Sequence, residues 1–286
     1  MKVRLPIDIA SAFRNIYKDQ DYYSRRLLRN MLPAYPGADV RWRGYSFIEN
    51  LPAIYRFAPG LRVSYLLRHL FSIGRIREVE SNIRSIGEEM IGRYPGAMPD
   101  KLLLYLMRYV SAKRFPQNDY VHVEIGTLHG GSLIATLMAL QDAHSSHKVI
   151  CIDPLDGYYG VAIDPQRAVP VDRETVEENV NRFGFSRSQV EIVQHYSTEK
   201  VAIDAVRDRK VVSLFIDGDH SYEGVKDDWV NYSPFVVRCG YTLFDNYNDP
   251  NFTDITAFVH RELKDCPEGW HIAGSMNISL ILRRQG

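Results

Sequence analysis

The chain is 286 residues long, 45% apolar and 24% charged, and its 35 basic and 35 acidic side chains cancel to a formal net charge of zero. Ordinary apolar content without net charge excludes general disorder, and the length suffices for one large domain or for a catalytic domain with an appendage. No apolar run approaches the roughly 20 residues that span a bilayer, the N-terminus lacks the unbroken apolar stretch of a secretory signal, and Cys151, Cys239 and Cys266 follow no pairing or metal-binding spacing; a soluble, cytoplasmic protein with reduced thiols is expected.

Charge is uneven along the chain. Residues 1–99 hold 16 basic against 9 acidic side chains, and 14 of the basic ones are arginine. Arginine suits bidentate contact with carboxylate or phosphate, so this bias fits either an anionic partner or solvated helix faces. No tight basic cluster interleaved with aromatics occurs, which argues against nucleic acid. Pro33, Pro36, Gly37, Pro52, Pro59 and Gly60 break the early chain into short pieces. Over residues 61–92 the spacing of Ile76, Val79, Ile83, Ile86 and Met90 predicts a helix with one apolar face. Gly74 and Gly87 leave one long helix or two shorter ones open. Tyr94-Pro95-Gly96 and Pro99-Asp100 predict a turn or linker. The division is then an N-terminal helical, arginine-rich region over 1–95, acting as substrate cap or oligomerisation element, and a domain over 96–286. Leu102 to Val110 reads as a further helix, ended by Phe115-Pro116.

From residue 120 the rhythm becomes strand, glycine turn, helix. Val121–Ile125 is followed by a glycine-rich turn and a helical stretch to Leu140. Further strands are expected at 148–153, 190–193, 211–216, 241–244, 270–273 and 278–282. Apolar strands separated by helices predict an α/β fold: a Rossmann-like, seven-stranded, mostly parallel sheet with helices on both faces. Ligands of such sheets bind beyond the carboxyl ends of the strands. Four of the first five strands end at or beside an acid: Glu124, Asp153, Asp217 and Asp245.

The first turn is not a dinucleotide fingerprint, because Leu128 stands where a second glycine belongs. Glu124 beside it would repel a pyrophosphate but suits the cationic amino group of a ligand such as S-adenosylmethionine. Gly130, Gly131 and the amides opening the next helix could hold that ligand's carboxylate. Asp153 is placed to accept its ribose hydroxyls.

Val-Glu-Ile-Gly-Thr-Leu-His-Gly-Gly-Ser-Leu (123–133), Cys-Ile-Asp-Pro-Leu (151–155) and Phe-Ile-Asp-Gly-Asp-His-Ser-Tyr-Glu-Gly-Val (215–225) resemble class I S-adenosylmethionine-dependent methyltransferases. Within that superfamily they are similar to metal-dependent O-methyltransferases of macrolide and other sugars, and to the family named after cephalosporin hydroxylase. The resemblance spans roughly residues 95–286. It implies cofactor contacts from Glu124, Gly126, Thr127, Gly130, Ser132, Asp153 and Asp217, and from Ser197 on the adenine side, where a helix cap is an equal reading.

A sugar hydroxyl attacks a sulfonium methyl group only as its proton leaves, which a divalent cation and a base both promote. Asp217 at one strand tip, with Asp245 and Asn246 at the next, offers three hard oxygens suited to Mg²⁺; the resemblance implies the same set. His220 and Asp219 are the two candidate bases. The resemblance supports each, and the pKa near 6.5 of an unperturbed imidazole favours His220. The long, aromatic connection from Asp156 to Pro170 has the character of a substrate lid, with Tyr158 and Tyr159 able to stack on a sugar or aglycone. The expected activity is Mg²⁺-dependent methyl transfer from S-adenosylmethionine to a hydroxyl of a sugar or glycosylated small molecule, in the context of natural-product biosynthesis. The alternatives are catechol-type or N-methylation on the same scaffold, or a non-catalytic protein that binds S-adenosylmethionine. Homo-oligomerisation is expected by analogy.

Overall fold

The computed structural model describes residues 73–93, 98–159, 161–263, 267–276 and 278–286. The expected arginine-rich pieces before residue 73, the Tyr94-Pro95-Gly96 turn and Cys266 lie outside the described residues.

Helix α1 (Ile73–Glu89) runs unbroken through Gly74 and Gly87, and α2 (Met98–Arg114) follows. Pro99 and Asp100, expected in a turn, instead lie in the first turn of α2. Proline is tolerated there because the first amides of a helix have no intrahelical acceptor. Val79, Ile83, Ile86 and Met90 are buried as the spacing predicted, and they join the core formed by α2 and the following helix. The expected division at residue 95 therefore runs through one continuous hydrophobic cluster.

Next come β1 (Tyr120–Ile125), α3 (Gly131–Asp142), β2 (Lys148–Ile152), a hairpin of β3 (Ile163–Asp164) and β4 (Val169–Pro170), α4 (Arg173–Arg182) and β5 (Val190–Val193). The chain then crosses to α5 (Lys200–Arg207), β6 (Lys210–Ile216), α6 (Tyr222–Tyr232), β7 (Val236–Phe244), α7 (Thr253–Glu262), β8 (Trp270–Met276) and β9 (Ser279–Arg284). The main sheet has seven strands in the order β5-β2-β1-β6-β7-β9-β8. Strands β5 to β7 along that order are parallel, and β9 runs antiparallel to both β7 and β8. One core packs α1 to α4 on one face; the other lies under α5 to α7. After β1 the chain moves outward to β2 and β5, then returns to the other side of β1 as β6. The switch point, where a ligand crevice opens in such sheets, therefore lies between the ends of β1 and β6.

The sequence of β1 alternates apolar and polar residues, as a strand with one wet face does, yet His122 and Glu124 are fully buried beneath α2 and α3. The compensation comes from Arg108 of α2, also fully buried. Its Nη1 donates to the Ser213 carbonyl at 2.8 Å and hydroxyl at 2.5 Å, and Nη2 donates to the Val123 carbonyl at 2.9 Å. These acceptors flank an irregularity where the β1–β6 register skips Val212. A directed chain continues from Ser213. Its hydroxyl lies 2.7 Å from His122 Nδ1, His122 Nε2 lies 3.1 Å from His147 Nδ1, and His147 Nε2 lies 2.8 Å from the Gln117 carbonyl. A carbonyl only accepts, so His147 carries its proton on Nε2, His122 likewise, and the Ser213 hydroxyl donates to His122 while accepting from Arg108. Both imidazoles are neutral in this scheme. Burial holds the His122 ring well below its ordinary range, with Arg108 and His147 reinforcing it, and burial lowers His147 too.

Replacing Arg108 by Met strips two strand carbonyls of a donor and leaves Glu124 without its strongest cationic neighbour. Breaking a buried charged network of this kind costs about 3–5 kcal/mol. Urea denaturation of Arg108→Met should show a loss of that size, partly recovered when Glu124→Gln is added; an unchanged midpoint in the single variant would refute the role given to Arg108.

Candidate active site at the ends of β1, β6 and β7

Backbone hydrogen bonds tie the strand ends together. Gly126 N donates to Ile152 O at 2.9 Å, Asp217 N to Ile125 O at 2.9 Å, and Asp245 N to Ile216 O at 3.1 Å. Gly126 has φ +83°, and a Cβ there would stand 1.9 Å from the Asp217 carbonyl oxygen. Only glycine fits, because the β1 turn rests directly on the β6 turn.

Behind this turn, Glu124 Oε1 accepts from Ser132 Oγ at 2.7 Å, while Oε2 is buried without a hydrogen-bond partner. Burial raises this carboxyl to about 7, against the pull of Arg108, Ser132 and Lys101 and with a smaller push from Asp217. An orphaned carboxylate oxygen is costly, and the cost falls when a cationic donor reaches it. Gly130, at φ +88°, caps α3 without a side-chain hydrogen bond, so the first amides of that helix remain available to an anion. Lys101 Nζ lies 3.7 Å from where a Gly131 Cβ would be, a cation that the sequence did not mark. Glu124 on one side, with Lys101 and the α3 amides on the other, match the ammonium and carboxylate of an amino-acid moiety. The residues present thus fit the methionine end of S-adenosylmethionine.

Asp153 does more than await a ribose. Its Oδ2 accepts from Thr127 N at 2.7 Å and Leu128 N at 2.9 Å, and its Oδ1 accepts from Leu155 N at 2.8 Å. It therefore clamps the β1 turn to the β2 turn, leaving further lone pairs for a ligand hydroxyl. Thr127 is buried in the clamped turn. On the far side, the Ser197 carbonyl accepts from Tyr232 OH at 2.7 Å and the Ser197 side chain faces the buried Asp228. Ser197 lies ahead of α5, whose N-cap is Glu199, so it is not the cap of that helix.

Asp217, His220 and Asn246 come together. His220 Nε2 lies 2.9 Å from Asn246 Oδ1 and 3.4 Å from Asp217 Oδ1. The ring stacks on Phe252, centroids 4.2 Å apart, and its Nδ1 is 2.5 Å from Tyr159 OH. Both ring nitrogens are thus engaged, unlike those of a free base. Burial works against a charge on His220, but Asp217, then Asn246 and Asp219, outweigh it and hold the ring above its ordinary range. Tyr159 reaches His220 from a left-handed backbone, φ +48°, and packs edge-on to Tyr158. Asp219 accepts from Ser221 N and Ser221 Oγ, each at 2.9 Å, just ahead of the Ser221 cap of α6. Gly224 allows this, since a Cβ there would stand 2.5 Å from Asp219 Cβ; the second glycine of the 215–225 motif was a legible signal of that packing.

For a metal, the donor chemistry fits a hard dication: Asp217 and Asn246 turn oxygens toward one point, where the His220 N–H lies. Asp245 Oδ1 is 3.5 Å from Ser279 Oγ. Among the described residues no group of three or more His, Cys, Asp and Glu is arranged to hold a metal ion by itself.

Residues 123–247 match a family model described as a methyltransferase domain. The uncharacterized protein R132 of Acanthamoeba polyphaga mimivirus is 32% identical over 141 residues, 48% of this chain and 56% of the relative, so the chain spans little more than half the length of the curated relative it matches. The O-methyltransferase NovP superposes with a TM-score of 0.52 at 18% identity, covering 74% of this chain and 96% of NovP. The calicheamicin methyltransferase CalS11 gives 0.50 at 15% identity, covering 86% and 99%. Residues 123–247 match that family model, and the seven-stranded, Rossmann-like fold expected from the sequence is shared with these O-methyltransferases of known structure. Among the described residues no helix is long and apolar enough to cross a membrane.

Because the Glu124 carboxyl titrates near 7 in the free protein, a ligand ammonium binds its ionised form and must displace a proton at lower pH. The affinity for S-adenosylhomocysteine, by calorimetry, should fall below pH 7 toward about tenfold per pH unit and level off above it. Glu124→Gln should weaken binding and flatten the profile. A slope that persists in Glu124→Gln would assign the proton elsewhere.

Proposed function

We propose that the protein transfers the methyl group of S-adenosylmethionine to a hydroxyl of a sugar or glycosylated small molecule, with Mg²⁺ assisting. The observation that carries the reading is the orphaned, buried Glu124 oxygen at the switch point, on a side chain bonded to Ser132 in the first turn of α3. In the reaction the acceptor oxygen forms a bond to the methyl carbon as the carbon–sulfur bond breaks; the sulfonium becomes a neutral thioether, and the hydroxyl proton passes to a base of the protein. Glu124, Lys101 and the α3 amides hold the donor's amino-acid end, and Asp153 and Ser197 line the path toward its nucleoside.

Two groups are within reach of the proton. The Tyr159 phenol on His220 Nδ1 supports a seat for a hydroxyl at that nitrogen, which an acceptor hydroxyl would take as Tyr159 moves aside. Burial, with Tyr158, Asp219 and Asp217 nearby, raises Tyr159 to about 12, so this phenol stays protonated and yields its place to an acceptor without itself reacting. Asp219 keeps lone pairs beyond those given to Ser221 and is the second base. Asp217 and Asn246, with Asp245, are the residues that would hold Mg²⁺, which supplies stabilisation of the developing alkoxide.

Turnover of a glycoside panel, followed by methyl transfer from labelled donor, should stop with a chelator and return with Mg²⁺. Asp217→Asn should lower kcat by roughly 100-fold or more. His220→Ala and Asp219→Asn separate the two bases by which of them loses the acidic limb of the pH–rate profile, where protonation of the base shuts turnover down. Turnover that survives chelation would overturn the metal reading, and donor binding without turnover on any glycoside, catechol or amine would favour a non-catalytic binding protein.

A further inference from the structure

A cavity of about 610 Å³ opens between the loop after α1 and the β3–β4 hairpin. Met90, Ile91 and Val169 form its apolar side, and Arg93, Gln166 and Arg167 its polar side. We propose that this cavity takes the body of the methyl acceptor and that the acceptor carries an oxyanion, carboxylate or phosphate; this rests on the methyltransferase reading above.

Four observations support it. The volume lies within the range of small-molecule sites, roughly 300–1,000 Å³. Among the described lining residues, two guanidiniums and a carboxamide come together with no carboxylate, which is the donor set that recognises carboxylate and phosphate oxygens. Asp164, in the hairpin beside Gln166 and Arg167, is fully buried. It is committed to the hairpin, with Oδ1 accepting from Gln166 N at 2.8 Å and Arg167 N at 3.2 Å and Oδ2 paired with the Arg167 guanidinium. That pairing neutralises Asp164 and fixes Arg167 in the wall, so the positive charge facing the cavity is that of Arg93.

The position also suits an acceptor. Gly92, with φ +77°, lies so close to the His129 ring that a Cβ would stand 2.5 Å from it, and Met90 Sδ is 3.5 Å from where a Gly131 Cβ would be. One wall of the cavity is thus built against the glycine turn that fits the methyl donor. Gln166, Arg167 and Val169 belong to the same connection between β2 and α4 that carries Tyr159, whose phenol meets His220. Arginine enrichment in residues 1–99, of which Arg93 is part, receives a specific use here.

The test uses the full chain and three matched probes: phenyl β-D-glucuronide, phenyl β-D-glucoside 6-phosphate and neutral phenyl β-D-glucoside, with binding followed by ligand-observed NMR. At least one anionic probe should bind about tenfold tighter than the neutral one, an advantage that shrinks with added salt. Which anion is preferred distinguishes a carboxylate from a phosphate acceptor. Arg93→Gln, on an exposed side chain, should erase the advantage while leaving affinity for S-adenosylhomocysteine within about twofold; Gln166→Ala should reduce it. Equal binding of all three probes, or an anion preference intact in Arg93→Gln, would overturn the proposal. Loss of S-adenosylhomocysteine binding in the unmodified protein would instead count against the methyl-donor reading and leave the cavity result standing.

Discussion

The arrangement at the heart of this protein depends on one buried guanidinium. A carboxylate carried on the inner face of a central strand is unfavourable by several kcal/mol unless positive charge lies near. Arg108 supplies that charge from α2 without forming a direct pair with Glu124, since its hydrogen bonds go to strand carbonyls and to Ser213. The carboxylate is thus made tolerable but not satisfied. A direct bidentate pair would have stabilised the fold more and left nothing for a ligand to complete.

The same logic organises the strand ends. Three acids at or just beyond the strand tips are tied to the chain next to them: Asp153 to the amides of the neighbouring turn, Asp217 through its backbone amide to Ile125, Asp219 to the start of α6. These ties restrict the side chains before any ligand arrives, which lowers the entropy lost on binding. His220 is held in the same manner, between the Phe252 ring, the Tyr159 phenol and two side-chain oxygens, so the tip is an assembled cluster and not a set of separate solvent-exposed groups.

Much of this was readable from residue order. Seven strands, their ends and the acids at those ends follow from apolar runs interrupted by glycine, because strand burial and turn conformation are local demands. What stayed hidden depended on contacts between distant segments. Arg108 sits in the apolar run Leu-Leu-Leu-Tyr-Leu-Met-Arg-Tyr-Val, where a lone arginine reads as a surface residue at a helix edge. The polar residues of β1 look like a solvent face because alternation alone does not say what covers the other side. Phe252 beneath His220 and Lys101 beside Gly131 have no motif at all. The hairpin inside the Asp156–Pro170 connection consists of two-residue strands, too short for any period to register. Asp245 shows the opposite case: its strand-tip position was evident, but nothing in the sequence marked Ser279 as its neighbour.

The contact between Gly126 and the Asp217 carbonyl has a mechanical implication. Two loops that follow different strands, one proposed to serve the donor and the other the reactive tip, meet backbone to backbone with no compliant side chain in the joint. A displacement of either is passed to its counterpart almost undiminished, so occupancy of the two sites should be thermodynamically coupled, each ligand altering the affinity for the other by the same factor. The joint that would carry this coupling depends on the absence of a single methyl group at residue 126.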